Sequence, residues 1–241
     1  GTSEQHGDRL SGPSYHPRGE HGAEQSCMWT GAMSLSLYYV HDPMCSWCYG
    51  FTPTWRRLLE RLPGDIAVVR LLGGLAADCD EPMAPEMRMY LQQTWHRIQH
   101  RIPGTDFNFE FWSRCEPQRS TWPACRAVIA ARSQDPAFDE AMTQAIQRAY
   151  YREARNPSDR AVLIDLAGEI GADRESFAQV LDAAETRSAL ESEITRARAM
   201  GADSFPSQIL EQNHSRWRIP VDYTDVEPML ATLAQAKSAG G

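Results

Sequence analysis

The chain has 241 residues, of which 42% are hydrophobic and 23% are charged, and 24 basic against 32 acidic side chains give a net charge of −8. This composition is typical of a globular protein with a full hydrophobic core. The acidic charge argues against nucleic acid or an anionic membrane surface as the main partner, and no apolar run approaches the roughly 18 residues of a membrane span. Six cysteines are too few for a disulfide framework, so any function they have is local.

The N-terminal residues 1–32 are predicted to be a disordered leader. Their first 26 residues are polar, rich in Gly, His, Ser, Glu and Arg, and show no apolar periodicity. They lack the apolar core of a secretory signal peptide, so we expect a cytoplasmic rather than a periplasmic location. Cys27, inside this leader, is expected to be incidental.

The next segment predicts a strand, a helix and a second strand. A β-type run at residues 35–40 ends at a His-Asp-Pro turn, whose proline cannot donate to a sheet ladder. A helical pattern then runs to Pro63-Gly64, and a second β-type run covers residues 66–72. This order is that of a βαβ unit.

Residues 81–199 are predicted to be almost entirely helical, because apolar residues recur there at helical spacing. Met83, Met87 and Tyr90 begin the first apolar stripe, which we expect to pack in the core, although it could instead line a substrate groove in the helical segment. The last part of the chain predicts two strands, at residues 207–210 and 217–221, joined by a turn at residues 213–214. A final helix is predicted at residues 226–236. The patterns therefore predict strand-containing segments at residues 33–80 and 200–241, with a helical segment of residues 81–199 between them.

Cys45 and Cys48 form a CxxC motif at the point where the first strand gives way to a helix. Free N–H groups and the positive end of a helix stabilise a thiolate there, so Cys45 is the predicted nucleophile. Cys48 lies one turn further on, on the same face and more buried, where it can resolve a mixed disulfide. Ser46 could donate its hydroxyl or its backbone N–H to the Cys45 sulfur.

Other interpretations of this motif stay open at this point. A zinc site would need two further Cys or His ligands at compact spacing, and the chain has no second CxxC; we therefore expect no metal. A structural disulfide is the second alternative, and coincidental spacing is the third. A bridge between Cys115 and Cys125 is conceivable, although Cys125 lies in an alanine-rich helical pattern that favours a buried thiol.

The segment HDPMCSWCYGF at residues 41–51 resembles the active-site segment of the DsbA-like thioredoxin superfamily, specifically its FrnE-like branch. The resemblance covers roughly residues 35–237 and includes the motifs LGGL, EPM, WPACRA and SFPS, at residues 72–75, 81–83, 122–127 and 204–207. It implies an α/β thioredoxin fold interrupted by a large all-α insertion domain. The thioredoxin-like domain would then be discontinuous, with residues 33–80 and 200–241, and residues 81–199 would form the insertion. Kappa-class glutathione transferases and 2-hydroxychromene-2-carboxylate isomerases share this fold.

The resemblance also implies a substrate-binding role for four residues around the motif. It implies that Pro206 is a cis-proline beside the CxxC and that Phe205 before it contacts the substrate backbone. Ser46 and Trp47, between the cysteines, are expected to contact substrate as well, and Trp47 and Phe205 would make the site's mouth apolar. This dipeptide has neither the His of a strongly oxidising DsbA motif nor the Pro of thioredoxin, so the redox potential stays open.

His41 and Asp42 precede the motif and admit two interpretations. They could relay a proton to Cys48, or they could be only the polar residues that end a strand in a turn. His96 and His100, spaced i, i+4, could bind a metal, but without a third ligand we expect them on a solvated helix face.

We therefore expect a thiol–disulfide oxidoreductase that exchanges disulfides with protein thiols. The cysteine pair carries the two electrons, so no metal or organic cofactor is expected, and glutathione is a candidate co-substrate. The first alternative is a glutathione-dependent transferase or isomerase of the kappa or hydroxychromene type, in which a serine commonly replaces the first cysteine. The second is a non-catalytic binding module. No pattern indicates the oligomeric state.

Overall fold

A four-stranded mixed sheet lies at the centre of the protein. The structure is a computed structural model and describes residues 35–240; the predicted leader at residues 1–32, with Cys27, lies outside the described residues. The elements in chain order are β1 (Leu35–His41), α1 (Ser46–Arg61), β2 (Ala67–Leu72), α2 (Pro85–Arg101), α3 (Phe111–Arg114), α4 (Trp122–Gln134), α5 (Phe138–Tyr151), α6 (Arg160–Glu169), α7 (Arg174–Leu181), α8 (Ala184–Ala199), β3 (Ser207–Gln212), β4 (Ser215–Ile219) and α9 (Glu227–Gly240).

The strands are arranged in the order β2-β1-β3-β4. β1 pairs in parallel with β2, placing Val40 beside Leu71, and antiparallel with β3, placing Leu37 beside Leu210. β3 and β4 form an antiparallel hairpin. With helices α2–α8 between β2 and β3, the predicted thioredoxin fold with a helical insertion is confirmed; the exact domain boundaries stay a prediction.

Each face of the sheet is covered by different helices, because side chains alternate along a strand. Leu37 and Tyr39 of β1 face α1 and α9 and pack there with Phe51, Trp55 and Leu233. The intervening residues of β1 face the other way, where they pack with residues of α8 and β3. The apolar run of β1 is therefore explained by burial on both faces.

The helical insertion has an aromatic core centred on Trp95 of α2. This indole is fully buried, stacks on Phe107 with ring centroids 4.8 Å apart, and lies 4.9 Å from the ring of Trp112. Its Nε1–H donates to the Ser46 hydroxyl at 3.1 Å. Trp95 therefore connects the insertion directly to the first turn of α1.

Three details differ from the sequence predictions. The short helix α3 was not predicted, because four residues are too few to show a helical period. β4 covers Ser215–Ile219 rather than residues 217–221, since the tight turn at Asn213 and His214 (φ 50° and 68°) lets pairing begin at once and Pro220 cannot continue it. The stripe expected in the core is only partly buried: Met83 is 7% exposed but Tyr90 is 53% exposed.

None of the described helices combines the length and the apolar character that crossing a membrane would require.

We predict that Trp95→Ala lowers the free energy of unfolding by about 3–5 kcal/mol, because it removes a fully buried indole and leaves a cavity. Urea denaturation followed by circular dichroism measures this change. Met89→Ala on the same helix is the control; Met89 is 56% exposed, so its loss should change stability by no more than about 0.5 kcal/mol. Equal effects of the two substitutions would contradict the central role of Trp95.

Candidate redox site

Cys45 is the N-cap residue of α1. Its backbone is extended (φ −78°, ψ 117°), and its sulfur accepts the backbone N–H of Cys48 at 3.4 Å, in the place where a Ser or Asp oxygen commonly caps a helix. The Cys45 N–H donates to the Asp42 carbonyl at 3.0 Å, closing the turn that leads out of β1. The sulfur is thus held at the positive end of the helix dipole.

The loop before β3 lies directly beside Cys45. The Phe205–Pro206 peptide bond is cis, as the resemblance implied. The Cys45 thiol donates to the Phe205 carbonyl at 3.6 Å. The Phe205 ring lies so close to Gly73 that a Cβ at Gly73 would overlap it, which explains the glycine after β2.

Cys48 is more buried than Cys45, as predicted, with 1% of its surface exposed against 6%. Burial raises the pKa of the Cys48 thiol well above its usual value, and the hydrogen bond and charge of neighbouring Cys45 raise it further. A hydrogen bond from the Asp42 backbone opposes this rise. Cys48 is therefore held as a neutral thiol behind Cys45.

The Asp42 carboxylate is fully buried and accepts several hydrogen bonds. Oδ1 accepts the Met44 N–H at 2.8 Å, and Oδ2 accepts the Leu75 N–H at 2.8 Å and the Thr121 hydroxyl at 2.6 Å. The Cys125 thiol donates to Oδ2 as well, at 3.4 Å. Burial raises the pKa of this carboxyl, and the hydrogen bonds counteract part of the rise. Asp42 thus does more than end a strand: it joins β1 to α4.

His41 is buried beneath α1, 1% exposed, with its ring stacked on Tyr39 at a centroid distance of 5.1 Å. Its Nε2 has no hydrogen-bond partner among the residues that the structure describes. Burial, followed by the charges of Arg70 and Arg132, lowers the pKa of His41 well below 6.5. The imidazole is therefore neutral at physiological pH. Its predicted role in proton relay stays a prediction.

A cleft of about 310 Å³, here called the redox cleft, opens beside Cys45. One part of its lining consists of Ser46 and Trp47 of α1 and of Phe205 in the loop before β3. Its other lining residues include Leu75, which is 38% exposed, and the half-exposed Tyr90 of the insertion. Part of the stripe expected in the core therefore forms a wall beside the nucleophile. Pro206, buried behind Phe205, does not line the cleft.

The two residues between the cysteines have different surroundings. The Ser46 hydroxyl accepts the Trp95 indole N–H, and the Cys45 sulfur accepts the Cys48 N–H; the expected donation from Ser46 to that sulfur is not among the hydrogen bonds of the described residues. The half-buried Trp47 ring lies 5.1 Å from the ring of Tyr223. Sequence reasoning missed Tyr223, because no motif marks it.

The described cysteines are all free thiols, so the conceivable bridge between Cys115 and Cys125 is absent. Cys115 donates to the Ala154 carbonyl at 3.1 Å. Cys125 is fully buried, as predicted, and contacts Asp42. In the described part of the chain, no three His, Cys, Asp or Glu side chains are placed to hold a metal ion.

The DSBA-like thioredoxin domain family matches residues 37–223. The chain belongs to this family. Membership confirms the predicted DsbA-like superfamily and gives the chain the fold of the thiol–disulfide oxidoreductases; the FrnE-like branch stays a prediction. No curated protein sequence matches the chain.

Solved structures of disulfide-exchanging proteins are similar to this family member over most of its length. A provisionally assigned protein disulfide isomerase from Nitrosomonas europaea is 27% identical, with a TM-score of 0.74 over 86% of this chain and 100% of its own. The cytosolic disulfide reductase DsbM from Pseudomonas aeruginosa is 27% identical, with a TM-score of 0.68 over 85% and 99%. The same reductase with GSH is 26% identical, with a TM-score of 0.66 over 84% and 99%.

We predict that His41 makes stability fall as the pH drops below 6.5. The unfolded chain binds a proton there that the native state excludes, because burial lowers the pKa of His41 in the folded protein. His41→Phe keeps a ring on Tyr39 and should flatten the decline, which reaches at most about 1.4 kcal/mol per pH unit. Urea unfolding of the wild type and of His41→Phe, from about pH 7.5 to about pH 5.5, measures how steeply the stability of each protein depends on pH. Asp42 is present in both proteins, so its titration does not account for a difference between them. Parallel curves would show that His41 is not the titrating group.

Proposed function

We propose that the protein is a thiol–disulfide oxidoreductase that reduces disulfides of polypeptide substrates, with Cys45 as the nucleophile and Cys48 as the resolving thiol. The observation that carries this proposal is the position of the Cys45 sulfur, which lies at the N-terminus of α1, on the wall of the redox cleft and 3.6 Å from the Phe205 carbonyl. A reacting sulfur needs these three conditions: stabilisation of negative charge, access and a neighbouring backbone that orients the substrate.

The reaction has two exchange steps. The Cys45 thiolate attacks one substrate sulfur, the substrate S–S bond breaks, and the released sulfur takes a proton. Cys48 then loses its proton and attacks the Cys45 sulfur, which releases the second substrate thiol and leaves a Cys45–Cys48 disulfide. The substrate gains two electrons and the protein loses two. Two glutathione molecules, or one external dithiol, return the pair to thiols, so we propose no further cofactor.

The surroundings of Cys48 suit the second step. Because burial raises its pKa, Cys48 stays protonated until a mixed disulfide forms on Cys45. We propose that Asp42 accepts the Cys48 proton, since the charge of its carboxylate acts on the Cys48 thiol and burial raises the pKa of this carboxyl. A carboxylate of ordinary pKa would be a poorer proton acceptor here. We assign His41, neutral beneath the helix, the lesser part of keeping this region dry.

The proposed substrate is a polypeptide with apolar residues beside its disulfide. Leu75 and Tyr90 expose apolar surface in the redox cleft, and Trp47 and Phe205 continue that surface next to Cys45. We propose that Phe205, Pro206 and Ser46 orient the substrate chain and that Trp47 contacts its side chains. The similarity to a reductase described as cytosolic supports both the reducing direction and a cytoplasmic location.

We predict that Cys45→Ser abolishes insulin reduction coupled to an external dithiol, because no other thiol of residues 35–240 lies at the N-terminus of α1. Cys48→Ser should instead accumulate a mixed disulfide with the substrate, which mass spectrometry of the intact protein detects. Cys79→Ser, which changes a half-buried thiol outside the motif, is the control and should retain wild-type activity. Turnover by Cys45→Ser would exclude Cys45 as the nucleophile.

Glutathione conjugation or isomerisation is the second candidate function, favoured by the similar reductase structure that contains GSH. Retention of both cysteines favours disulfide exchange, since the transferases and isomerases commonly carry a serine at the first position. We predict that glutathione restores the oxidised protein to the dithiol form. Titration of the free thiols measures this reduction. Tight glutathione binding in calorimetry without disulfide reduction would instead favour the transferase or isomerase.

A further inference from the structure

A second and larger cleft, here called the arginine cleft, has a volume of about 710 Å³ and shares no lining residue with the redox cleft. Residues of α1 and α5, the segment after α2 and the segment before α9 form its walls. Among the residues that the structure describes, four arginines and no aspartate or glutamate line it: Arg56, Arg57, Arg148 and Arg152. This concentration of cations is unexpected in a chain with a net charge of −8.

Arg57 is the arginine of this cleft whose charge is least compensated. Its Nη2 donates to the Thr54 hydroxyl and to the Thr224 carbonyl, both at 2.9 Å and both neutral. It makes no ion pair with any residue from 35 to 240. The guanidinium is therefore held in one orientation, with further N–H groups available, which is the arrangement that binds a carboxylate well.

The other three arginines have carboxylate neighbours of different quality. The Arg148 guanidinium is already paired with two carboxylates, since it donates to Glu153 at 2.9 Å and to Glu169 at 2.6 Å. Arg56 and Arg152 lie 4.0 and 3.8 Å from the carboxylates of Glu140 and Asp106, with about half of each arginine side chain exposed. Exposed pairs at such distances contribute little, so Arg56 can turn towards an incoming anion at small cost, whereas Arg152 also contacts the Tyr49 hydroxyl.

The remaining walls of the arginine cleft suit a peptide. Thr52, Thr105, Gln144 and Gln147 line them with hydroxyl and amide groups, which can hydrogen-bond to a peptide without adding charge. The Thr52 hydroxyl already donates to the Cys48 carbonyl and Gln144 Nε2 to Glu140, so these two side chains offer a peptide chiefly acceptor oxygens. Ile102, Pro53 and the Tyr223 ring supply apolar surface. A volume of this size accommodates a short peptide segment.

Tyr223 connects the arginine cleft to the redox motif. The Thr54 hydroxyl donates to the Tyr223 carbonyl at 2.6 Å and also accepts from Arg57. The Tyr223 ring lines the cleft and lies against Trp47, between the two cysteines. A polypeptide with its disulfide at Cys45 can therefore pass over Trp47 and Tyr223 and place its next residues beside Arg57.

We propose that the arginine cleft binds an acidic segment of the polypeptide substrate, with Arg57 as the principal receptor for its carboxylates. The proposal rests on the proposed disulfide reductase function and adds a second recognition element to it. A peptide rather than a free anion is favoured by the continuity with the redox motif and by the neutral hydrogen-bonding groups along the walls.

The test compares two disulfide-linked peptides that differ only in a tail of glutamates or of glutamines. The wild-type kcat/KM is expected to be about fivefold higher for the acidic peptide, the size of one partly exposed charge-assisted contact, and the preference should decline with added salt. Arg57→Gln should bring the ratio to about one. Arg174→Gln, an exposed arginine of α7 outside the cleft, is the matched control and should keep it.

A second experiment measures peptide binding directly, so the test of the arginine cleft does not depend on turnover. Fluorescence anisotropy with a labelled, cysteine-free acidic peptide should show weaker binding to Arg57→Gln than to wild type, and free succinate should compete poorly. Equal turnover of both peptides, or equal binding by both proteins, overturns the proposal while leaving the reductase function intact. Competition by succinate as strong as by unlabelled peptide overturns the peptide assignment. Absence of turnover with either peptide contradicts the reductase function, and the binding experiment still decides on the cleft.

Discussion

A single buried carboxylate holds together the parts of the protein that meet at the redox site. Taking the Asp42 side chain out of water is costly, and its hydrogen bonds to Met44, Leu75 and Thr121 offset that cost only while all three donors stay in place. These donors belong to the turn before α1, the segment after β2 and the start of α4. The carboxylate therefore fixes the insertion against the sheet, and with it the wall of the redox cleft that faces Cys45.

The CxxC motif uses its two central residues as anchors in different directions. Ser46 is bound to Trp95 in the core of the insertion, whereas Trp47 lies against Tyr223 just before the last helix. The first turn of α1 is thus held from both sides. This keeps Cys45 at the wall of the redox cleft and Cys48 in the protein interior. Both thiols are buried, but their environments differ because Cys45, 6% exposed, lines the redox cleft, whereas Cys48, 1% exposed, does not.

Local sequence patterns predict the elements well and their long-range contacts poorly. The βαβ opening, the helices of the insertion other than the short α3, and the hairpin follow from periodicity and turn residues, and the cis-Pro206 followed from the family resemblance. The hydrogen bond between Ser46 and Trp95 joins residues that are 49 positions apart in the chain, and the hydrogen bond between Asp42 and Thr121 joins residues that are 79 positions apart. Apolar periodicity shows which face of a helix is buried but not against what. The exposed Tyr90 illustrates this limit, since its stripe also forms a cleft wall.

The pairing of β1 with β3 has a consequence for how the chain acquires its structure. Tyr38 and Glu211, which meet across these strands, are separated by 173 residues. During synthesis β1 can join β2 soon after both emerge, but its other edge stays open until the whole insertion and β3 have been made. Closing so long a loop is slow compared with forming helices. The apolar strand at the centre of the sheet is therefore the segment of the nascent chain most in need of protection from aggregation.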